Sequence, residues 1–172
     1  MPDLHFRLMS LTIRIKDRFK YPAGLLAEIG IREGMTVVDY GCGPGSYVKK
    51  ASGLVGAAGT VYAGDGHELA LEAVSRRSRK EGLANVIPIL AKGYDSGLPD
   101  AAADLVYALD MVHLVERPEA FLAELRRIMR PDGTLILDDG HQSREKTHRA
   151  LQESGVWTIE EEIGEYLRCR PL

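Results

Sequence analysis

From Met35 to the C-terminus, short β-branched runs alternate with longer segments in which apolar residues recur at helical spacing. This alternation is typical of a parallel sheet covered by helices, because parallel strands need long crossover connections. Five of the runs are almost continuously apolar, as strands that are buried on both faces require. The predicted strands are Thr36–Asp39, Thr60–Gly64, Val86–Leu90, Asp104–Leu109 and Thr134–Asp138.

Three of the intervening segments have clear helix signals. Tyr47–Val55 carries one apolar stripe, which predicts a crossover helix after the first strand. A second stripe covers Pro118–Met129, where proline suits the first turn and the breaker Pro131-Asp132-Gly133 ends the helix. The third helix is predicted over Ser143–Ser154, with Gly155 at its end.

The last two strand-like runs differ from the rest in their connection. Val156–Ile163 and Tyr166–Arg170 are separated only by Gly164-Glu165, which is too short for a parallel crossover and suits a hairpin. One terminal strand should therefore run antiparallel. We expect residues 1–172 to form a single α/β domain with a mostly parallel sheet between two layers of helices.

Residues 1–21 form an N-terminal arm whose pattern is ambiguous. Leu4, Leu8 and Leu11 would share one face of a helix, but the stretch from Leu11 to Ile15 also alternates like a strand. The basic residues of the arm permit contact with a membrane surface, whereas burial against the sheet is the more common fate of such a segment. We expect the arm to act as a lid over an acceptor substrate.

Composition excludes several classes of partner and location. The net charge of −3 provides no general attraction for nucleic acid, so no nucleic-acid partner is expected. Cys42 and Cys169 lie far apart, which fits a reduced intracellular protein. Charged residues interrupt the first segment, and no later run has the length of a membrane span. We therefore expect a cytoplasmic protein without a membrane span, and a homo-oligomer is compatible with the sequence.

The strongest chemical signal is the stretch VVDYGCGPGSY, residues 37–47, which leads from the first strand into a helix. Ligands of open α/β sheets lie beyond the carboxyl ends of the strands, where glycines allow the backbone to approach closely. A dinucleotide-binding loop needs glycine or alanine where Ser46 stands, and Pro44 removes an amide that a pyrophosphate could use. The loop therefore disfavours NAD(P), although an NAD(P)-dependent oxidoreductase stays an alternative.

The stretch VVDYGCGPG resembles the first motif of class I S-adenosylmethionine-dependent methyltransferases, in the small-molecule branch that includes the ubiquinone and menaquinone methyltransferases. The resemblance continues through GTVYAGDG, LPDAAADLVYALDMVHLV, RRIMRPDGTLILDD and the closing hairpin. It implies a seven-stranded Rossmann-like fold and methyl transfer from S-adenosylmethionine to a small or amphipathic acceptor, with S-adenosylhomocysteine as the product. A module that holds S-adenosylmethionine without turnover is a further alternative.

The resemblance also implies a set of binding residues. Asp65 matches the acid that holds the ribose hydroxyls, and a carboxylate can accept both hydroxyl protons. The family usually has an acid after the third strand for the adenine, but the sequence here is ILAKGYDSGLP, which leaves Asp95, the backbone near Ala91 or the ring of Tyr94 as candidates. The expected cofactor-binding residues are Asp39, Gly41, Cys42, Gly43, Gly45, Asp65, Gly66, Ala91, Lys92, Gly93, Tyr94, Leu109 and Asp110.

Candidates for the chemistry follow the fourth and fifth strands. Methyl transfer from a sulfonium is a direct displacement, so a base is needed only when the acceptor must lose a proton. Asp110 and His113 follow the fourth strand, and Asp138, Asp139 and His141 follow the fifth. We take Asp110 and His113 as the catalytic candidates, while His113 could instead cap the segment before the next helix.

Our main interpretation of the sequence includes no metal ion. The alternative is a divalent ion held by Asp110, Asp138 and Asp139, because this set resembles the carboxylates of metal-dependent catechol-type O-methyltransferases. Aspartates are, however, common at strand ends.

Overall fold

The computed structural model describes residues 25–172, so the predicted N-terminal arm lies outside the described part and its role as a lid stays a prediction. The helices are α1 (Leu25–Glu28), α2 (Val48–Val55), α3 (Glu68–Glu81), α4 (Pro118–Ile128) and α5 (Arg144–Ser154). The strands are β1 (Thr36–Tyr40), β2 (Thr60–Asp65), β3 (Val86–Leu90), β4 (Ala103–Ala108), β5 (Met129–Asp138), β6 (Trp157–Ile163) and β7 (Tyr166–Pro171). A short 3₁₀ turn, Val112–Leu114, precedes α4.

The strands form one seven-stranded sheet in the order β3-β2-β1-β4-β5-β7-β6. β1 to β5 pair in parallel, and β7 pairs antiparallel with both β5 and β6. The predicted mostly parallel sheet with a C-terminal antiparallel hairpin is confirmed. Because chain order reverses between β1 and β4, their carboxyl ends flank a crevice, which is where ligands bind in open α/β sheets.

Two apolar cores cover the two faces of the sheet and produce the expected three layers. On one face, α1, α2 and α3 pack on β1 and β2 through residues such as Leu26, Val48 and Val74. On the other face, α4 and α5 pack on β4 and β5 through residues such as Phe121 and Leu151. The sheet is thus buried on both sides, which explains the near-continuous apolar runs of its strands.

The end of α4 differs from the prediction. The helix stops at Ile128, and Met129 already pairs with Ala103 as the first residue of β5. The breaker Pro131-Asp132-Gly133 therefore lies within an irregular part of β5, where the register shifts opposite Ala103 and Leu105. The side chain of Met129 is buried directly over Gly133, leaving no room there for a β-carbon. A bulge accommodates the extra residues.

Helix α3 was not singled out in the sequence because its apolar stripe is narrow. Only Ala70, Val74 and Ser78 of its residues are buried, one per turn. The helix begins after His67, whose Nδ1 accepts the Leu69 amide at 3.3 Å, and ends at Gly82 in a left-handed conformation.

Within residues 25–172, no helix is both long enough and apolar enough to cross a membrane.

Candidate functional site

The glycine loop after β1 is tied to the end of β2. The amides of Gly41 and Cys42 both donate to the carbonyl of Gly64, at 2.8 and 3.0 Å. A β-carbon at Gly45 would lie 2.9 Å from Cγ2 of Val74, so glycine is required there by close packing. At Gly43, in contrast, a β-carbon would meet nothing within 4 Å. The loop therefore packs tightly on one side and leaves an open space in front of Gly43.

Asp65 is held at this loop by two backbone amides. Its Oδ2 accepts from the Gly43 amide and its Oδ1 from the His67 amide, both at 2.9 Å. Burial raises the pKa of the Asp65 carboxyl, and the two amides partly offset the increase. Each carboxylate oxygen keeps a further acceptor position, so a ligand diol could bind a carboxylate that is already oriented.

Asp39 and Tyr107 form a buried polar pair on neighbouring strands. Asp39 lies opposite Tyr107 in the β1–β4 register, and their exposed fractions are 3% and 0%. Neither Asp39 Oδ2 nor the Tyr107 hydroxyl completes a hydrogen bond of normal geometry with any residue of the described chain. Buried polar atoms normally have partners, so this pair indicates a missing ligand.

The environment of Asp39 changes its proton affinity strongly. The pKa of the carboxyl is raised to about 7, mainly by burial and to a lesser degree by the nearby Asp65, while the Tyr107 hydroxyl partly offsets the increase. A cation placed beside the carboxyl would reverse the effect of burial. The site is therefore prepared for a positively charged group.

Tyr107 was missed in the sequence. Its signal was a tyrosine in an otherwise apolar strand, LVYAL, but its position opposite Asp39 depends on β4 being the neighbour of β1. The predicted residue Cys42 is buried beside this pair, and burial raises the pKa of its thiol well above the usual range. These properties disfavour a role of Cys42 as a nucleophile, and the expected contact of Cys42 with the cofactor stays a prediction.

Tyr94 serves the fold through its hydroxyl group. The hydroxyl accepts the amides of Glu116 and Arg117 at 3.1 and 3.0 Å, and the Arg117 guanidinium lies 5.4 Å from the ring centroid. The ring also meets Phe121 edge-on, with 6.0 Å between centroids. These contacts fix the segment that enters α4, and a role of the Tyr94 ring in adenine binding stays a prediction.

The other residues predicted for adenine lie at the end of β3. The Ala91 amide donates to the Asp65 carbonyl at 2.9 Å, which places Ala91 beside the ribose-binding candidate. Lys92 and Asp95 close a turn, and the Asp95 carboxylate accepts the Gly97 amide at 2.8 Å. The Asp95 side chain is thus used within its own turn, which leaves the backbone near Ala91 as the better-placed candidate.

The ends of β4 and β5 are joined through Asp110. This residue has a φ of 54°, in the left-handed region that glycine, asparagine and aspartate adopt more readily than other residues. Its amide donates to both carboxylate oxygens of Asp138, at 2.8 and 2.9 Å. Burial raises the pKa of Asp138 to about 6, while the amide of Asp110 lowers it in part. Asp138 therefore positions Asp110 and does not itself face a ligand freely.

His113 and His141 meet beside Asp110. Their rings lie 4.7 Å apart between centroids at an angle of 71°, and His141 Nε2 lies 3.7 Å from Asp110 Oδ1. Nδ1 of His113 is buried and has no partner in the described chain, and it lies against Gly140, where a β-carbon would overlap it. Burial lowers the pKa of His113, and the neighbouring His141 lowers it further. The His113 ring is thus kept neutral near neutral pH.

The alternative metal site of Asp110, Asp138 and Asp139 is not formed. The Asp139 carboxylate is turned to the Arg144 guanidinium, with 2.6 Å between Oδ2 and Nε. Asp138 is occupied by backbone amides, as described above. Among residues 25–172, the ligand atoms that come together, all within 4.8 Å of one another, belong to Asp110, His113 and His141.

A narrow apolar cleft adjoins this cluster between α4 and α5. Its lining includes Val112, Leu137 and Gln142, each the chain neighbour of a cluster residue or of Asp138, together with Phe121. The free space is about 20 Å³. The cleft therefore admits a small apolar group rather than a whole substrate.

Comparison with known proteins shows similarity of the sequence and the fold to one family. The family described as "Methyltransferase domain" matches residues 38–137. The crystal structure of an S-adenosylmethionine-dependent methyltransferase from Aquifex aeolicus is similar over 100% of both chains, with a TM-score of 0.87 and 26% identity.

Two curated proteins are similar in sequence. Sterol 24-C-methyltransferase of Gibberella zeae is 25% identical over 134 residues, which are 74% of this chain and 35% of that protein. Nocamycin O-methyltransferase of Saccharothrix syringae is 33% identical over 113 residues, which are 66% of this chain and 40% of that protein. This chain therefore spans well under half the length of these two relatives.

Proposed function

We propose, from the premise that this chain belongs to the methyltransferase-domain family, that it binds S-adenosylmethionine and transfers the methyl group to a small or amphipathic acceptor. The observation that carries the proposal is the unpartnered Asp39 Oδ2 beside the unpartnered Tyr107 hydroxyl. Both atoms lie at the switch point of the sheet.

The residues present fit this cofactor. Asp39 needs a cation, and the methionine ammonium group would supply one. The open space in front of Gly43 leaves room for the methionine part of the cofactor. Asp65 would accept the ribose hydroxyls, and the backbone near Ala91 would lie beside the adenine. Ala91, Lys92, Gly93 and Leu109 remain proposed contacts of this kind.

When bound, S-adenosylmethionine supplies a methyl group on a positively charged sulfur. His113 holds a free lone pair at neutral pH, because burial lowers its pKa, and can accept a proton from an acceptor hydroxyl or amine. Asp110 lies beside this histidine pair and would orient the acceptor. The arrangement favours an acceptor that loses a proton as it is methylated.

The acceptor would approach from the side of the apolar cleft. The cleft would hold a small apolar part of the acceptor, and the N-terminal arm, residues 1–21, would close over the rest. The relatives are named for an oxygen and a carbon acceptor, and the His113 lone pair favours the oxygen case. The cytoplasmic location and the homo-oligomer compatible with the sequence also stay proposals.

Calorimetric titration tests the cofactor. We expect S-adenosylmethionine and S-adenosylhomocysteine to bind with one site per chain, and NAD and NADP not to bind. Failure of both adenosyl compounds at millimolar concentration would refute the proposal. Release of S-adenosylhomocysteine with a panel of small phenols and hydroxy acids then separates an enzyme from a module that binds without turnover.

A further inference from the structure

We propose that Asp110, His113 and His141 bind one divalent transition-metal ion of the zinc type at the ends of β4 and β5. This site differs from the carboxylate set considered in the sequence, and it goes beyond methyl transfer itself. The binding claim stands without any turnover, whereas its consequence for the acceptor rests on the proposed function.

The distances between the donor atoms carry the proposal first. One ligand atom of each residue lies within 4.8 Å of the other two, and His141 Nε2 is already 3.7 Å from Asp110 Oδ1. A tetrahedral site with bonds of about 2.0 Å has donors roughly 3.3 Å apart. Side-chain rotations of modest size would therefore close the three donors around an ion.

Two features hold the donors in place before any ion binds. The bidentate contact between the Asp110 amide and the Asp138 carboxylate keeps Asp110 in its left-handed backbone conformation. The absence of a side chain at Gly140 lets His113 lie directly against the backbone after β5. Supporting contacts of this kind are typical of built metal sites, where residues behind the ligands fix their orientation.

An unsatisfied atom in the cluster provides an independent indication. Nδ1 of His113 is buried and has no hydrogen-bond partner in the described chain. A buried polar atom without a partner is unfavourable, and an ion bound to Nδ1 would satisfy it. Metal coordination by either nitrogen would also fix the tautomer of the ring.

The donor types select the class of ion. Two imidazoles and one carboxylate suit Zn²⁺, Co²⁺, Fe²⁺ or Ni²⁺, whereas Mg²⁺ and Ca²⁺ prefer oxygen ligands alone. Three protein ligands leave at least one position open, as in sites that also bind water or substrate. With the proposed function, a bound ion would take the lone pair of His113 and replace it as the group that promotes loss of the acceptor proton. The open position of the ion would select acceptors that carry a hydroxyl or carboxylate donor.

Titration of Co²⁺ into the tag-free full-length protein tests the site, with visible absorption and calorimetry as readouts. We expect one equivalent to bind. Asp110→Asn, His113→Ala and His141→Ala should each weaken binding at least about tenfold. Asparagine tolerates the positive φ at position 110, so the first variant removes charge without disturbing the backbone.

His148→Ala is the matched control. His148 lies on α5 with Nε2 3.2 Å from a Glu162 oxygen, so it offers an imidazole beside a carboxylate but does not belong to the three-donor cluster. Its removal should leave Co²⁺ binding unchanged. Circular dichroism and thermal unfolding of every variant show whether the fold is intact.

The metal proposal is overturned if Co²⁺ shows no saturable binding at millimolar concentration, or if folded cluster variants bind it as well as the control does. S-adenosylhomocysteine binding is measured in the same samples. A protein that binds S-adenosylhomocysteine but no Co²⁺ refutes only the metal site, and the reverse result refutes only the proposed function.

Discussion

Asp39 and Tyr107 lie opposite each other on β1 and β4, and Oδ2 of Asp39 and the hydroxyl of Tyr107 are both buried and both without a completed hydrogen bond in the described chain. An apolar pair of the same shape would avoid the cost of burying these groups. Their presence at the switch point of the sheet is explained by a cationic ligand that completes the pair.

Asp39→Asn should weaken S-adenosylhomocysteine binding by about 10- to 100-fold, because a charge-assisted hydrogen bond is worth roughly 1.5–3 kcal/mol. Calorimetric titration measures the change. Asp132→Asn, at an exposed position away from the glycine loop, serves as the control and should bind like the unmodified protein. Equal affinity of Asp39→Asn and the control would contradict a role for Asp39.

Cofactor affinity should rise with pH. The pKa of Asp39 is about 7 without ligand, and an ammonium group beside the carboxylate would lower it, so binding releases a proton when the pH is below that value. The affinity for S-adenosylhomocysteine should therefore increase by up to roughly tenfold per pH unit below 7 and level off above it. Titrations in buffers of different ionisation enthalpy detect the released proton. The Asp39→Asn variant should show no such component.

The free energy of unfolding of the ligand-free protein should fall with pH, in contrast to the cofactor affinity. Folding raises the pKa of Asp39 from 3.8 to about 7, so the native state binds more protons than the unfolded state between these values. Stability from this group is thus present at low pH and lost as the pH rises. The loss amounts to at most about 4 kcal/mol, since one pKa unit corresponds to about 1.4 kcal/mol.

Urea unfolding at mildly acidic and mildly alkaline pH measures this effect when the protein is compared with Asp39→Asn. The variant should gain stability relative to the unmodified protein as the pH rises. A difference between the two proteins that does not change with pH would show that Asp39 ionises freely in the folded state.

Alanine substitutions at two glycines of the loop should distinguish a residue needed for packing from one needed for cofactor binding. Gly45→Ala forces a β-carbon against Val74 at a positive φ, so it should destabilise the fold by about 2–4 kcal/mol. Gly43→Ala meets no neighbouring atom and should cost only about 1–2 kcal/mol, yet it should weaken S-adenosylhomocysteine binding because it fills the open space. Thermal unfolding and calorimetry distinguish the two variants, and equal losses of stability would contradict the packing described for Gly45.

The order of elements could be predicted from the sequence because apolar periodicity reports burial directly. Asp39 and Asp65 could be found because they end buried strands beside a glycine loop. Helix α3 escaped detection since only Ala70, Val74 and Ser78 are buried along it.

The partners of side chains were harder to predict than the elements. Tyr107 lies opposite Asp39 because β4 is the neighbour of β1 in the sheet. The order of the five strands along the chain does not reveal which of them are neighbours. The sequence showed that Asp110 and His113 follow the fourth strand and that His141 follows the fifth, but it did not group the three residues whose ligand atoms the structure brings together. It could not show that Arg144 takes Asp139 and so removes it from a metal site.

The most direct test of the central claim is a crystal structure of the protein with S-adenosylhomocysteine. We predict that the amino group of the ligand lies within hydrogen-bond distance of Asp39 Oδ2 and that the ribose hydroxyls bind the Asp65 carboxylate. A structure in which Asp39 and Tyr107 remain without a ligand partner, or in which the nucleoside lies away from Asp65, would contradict the account.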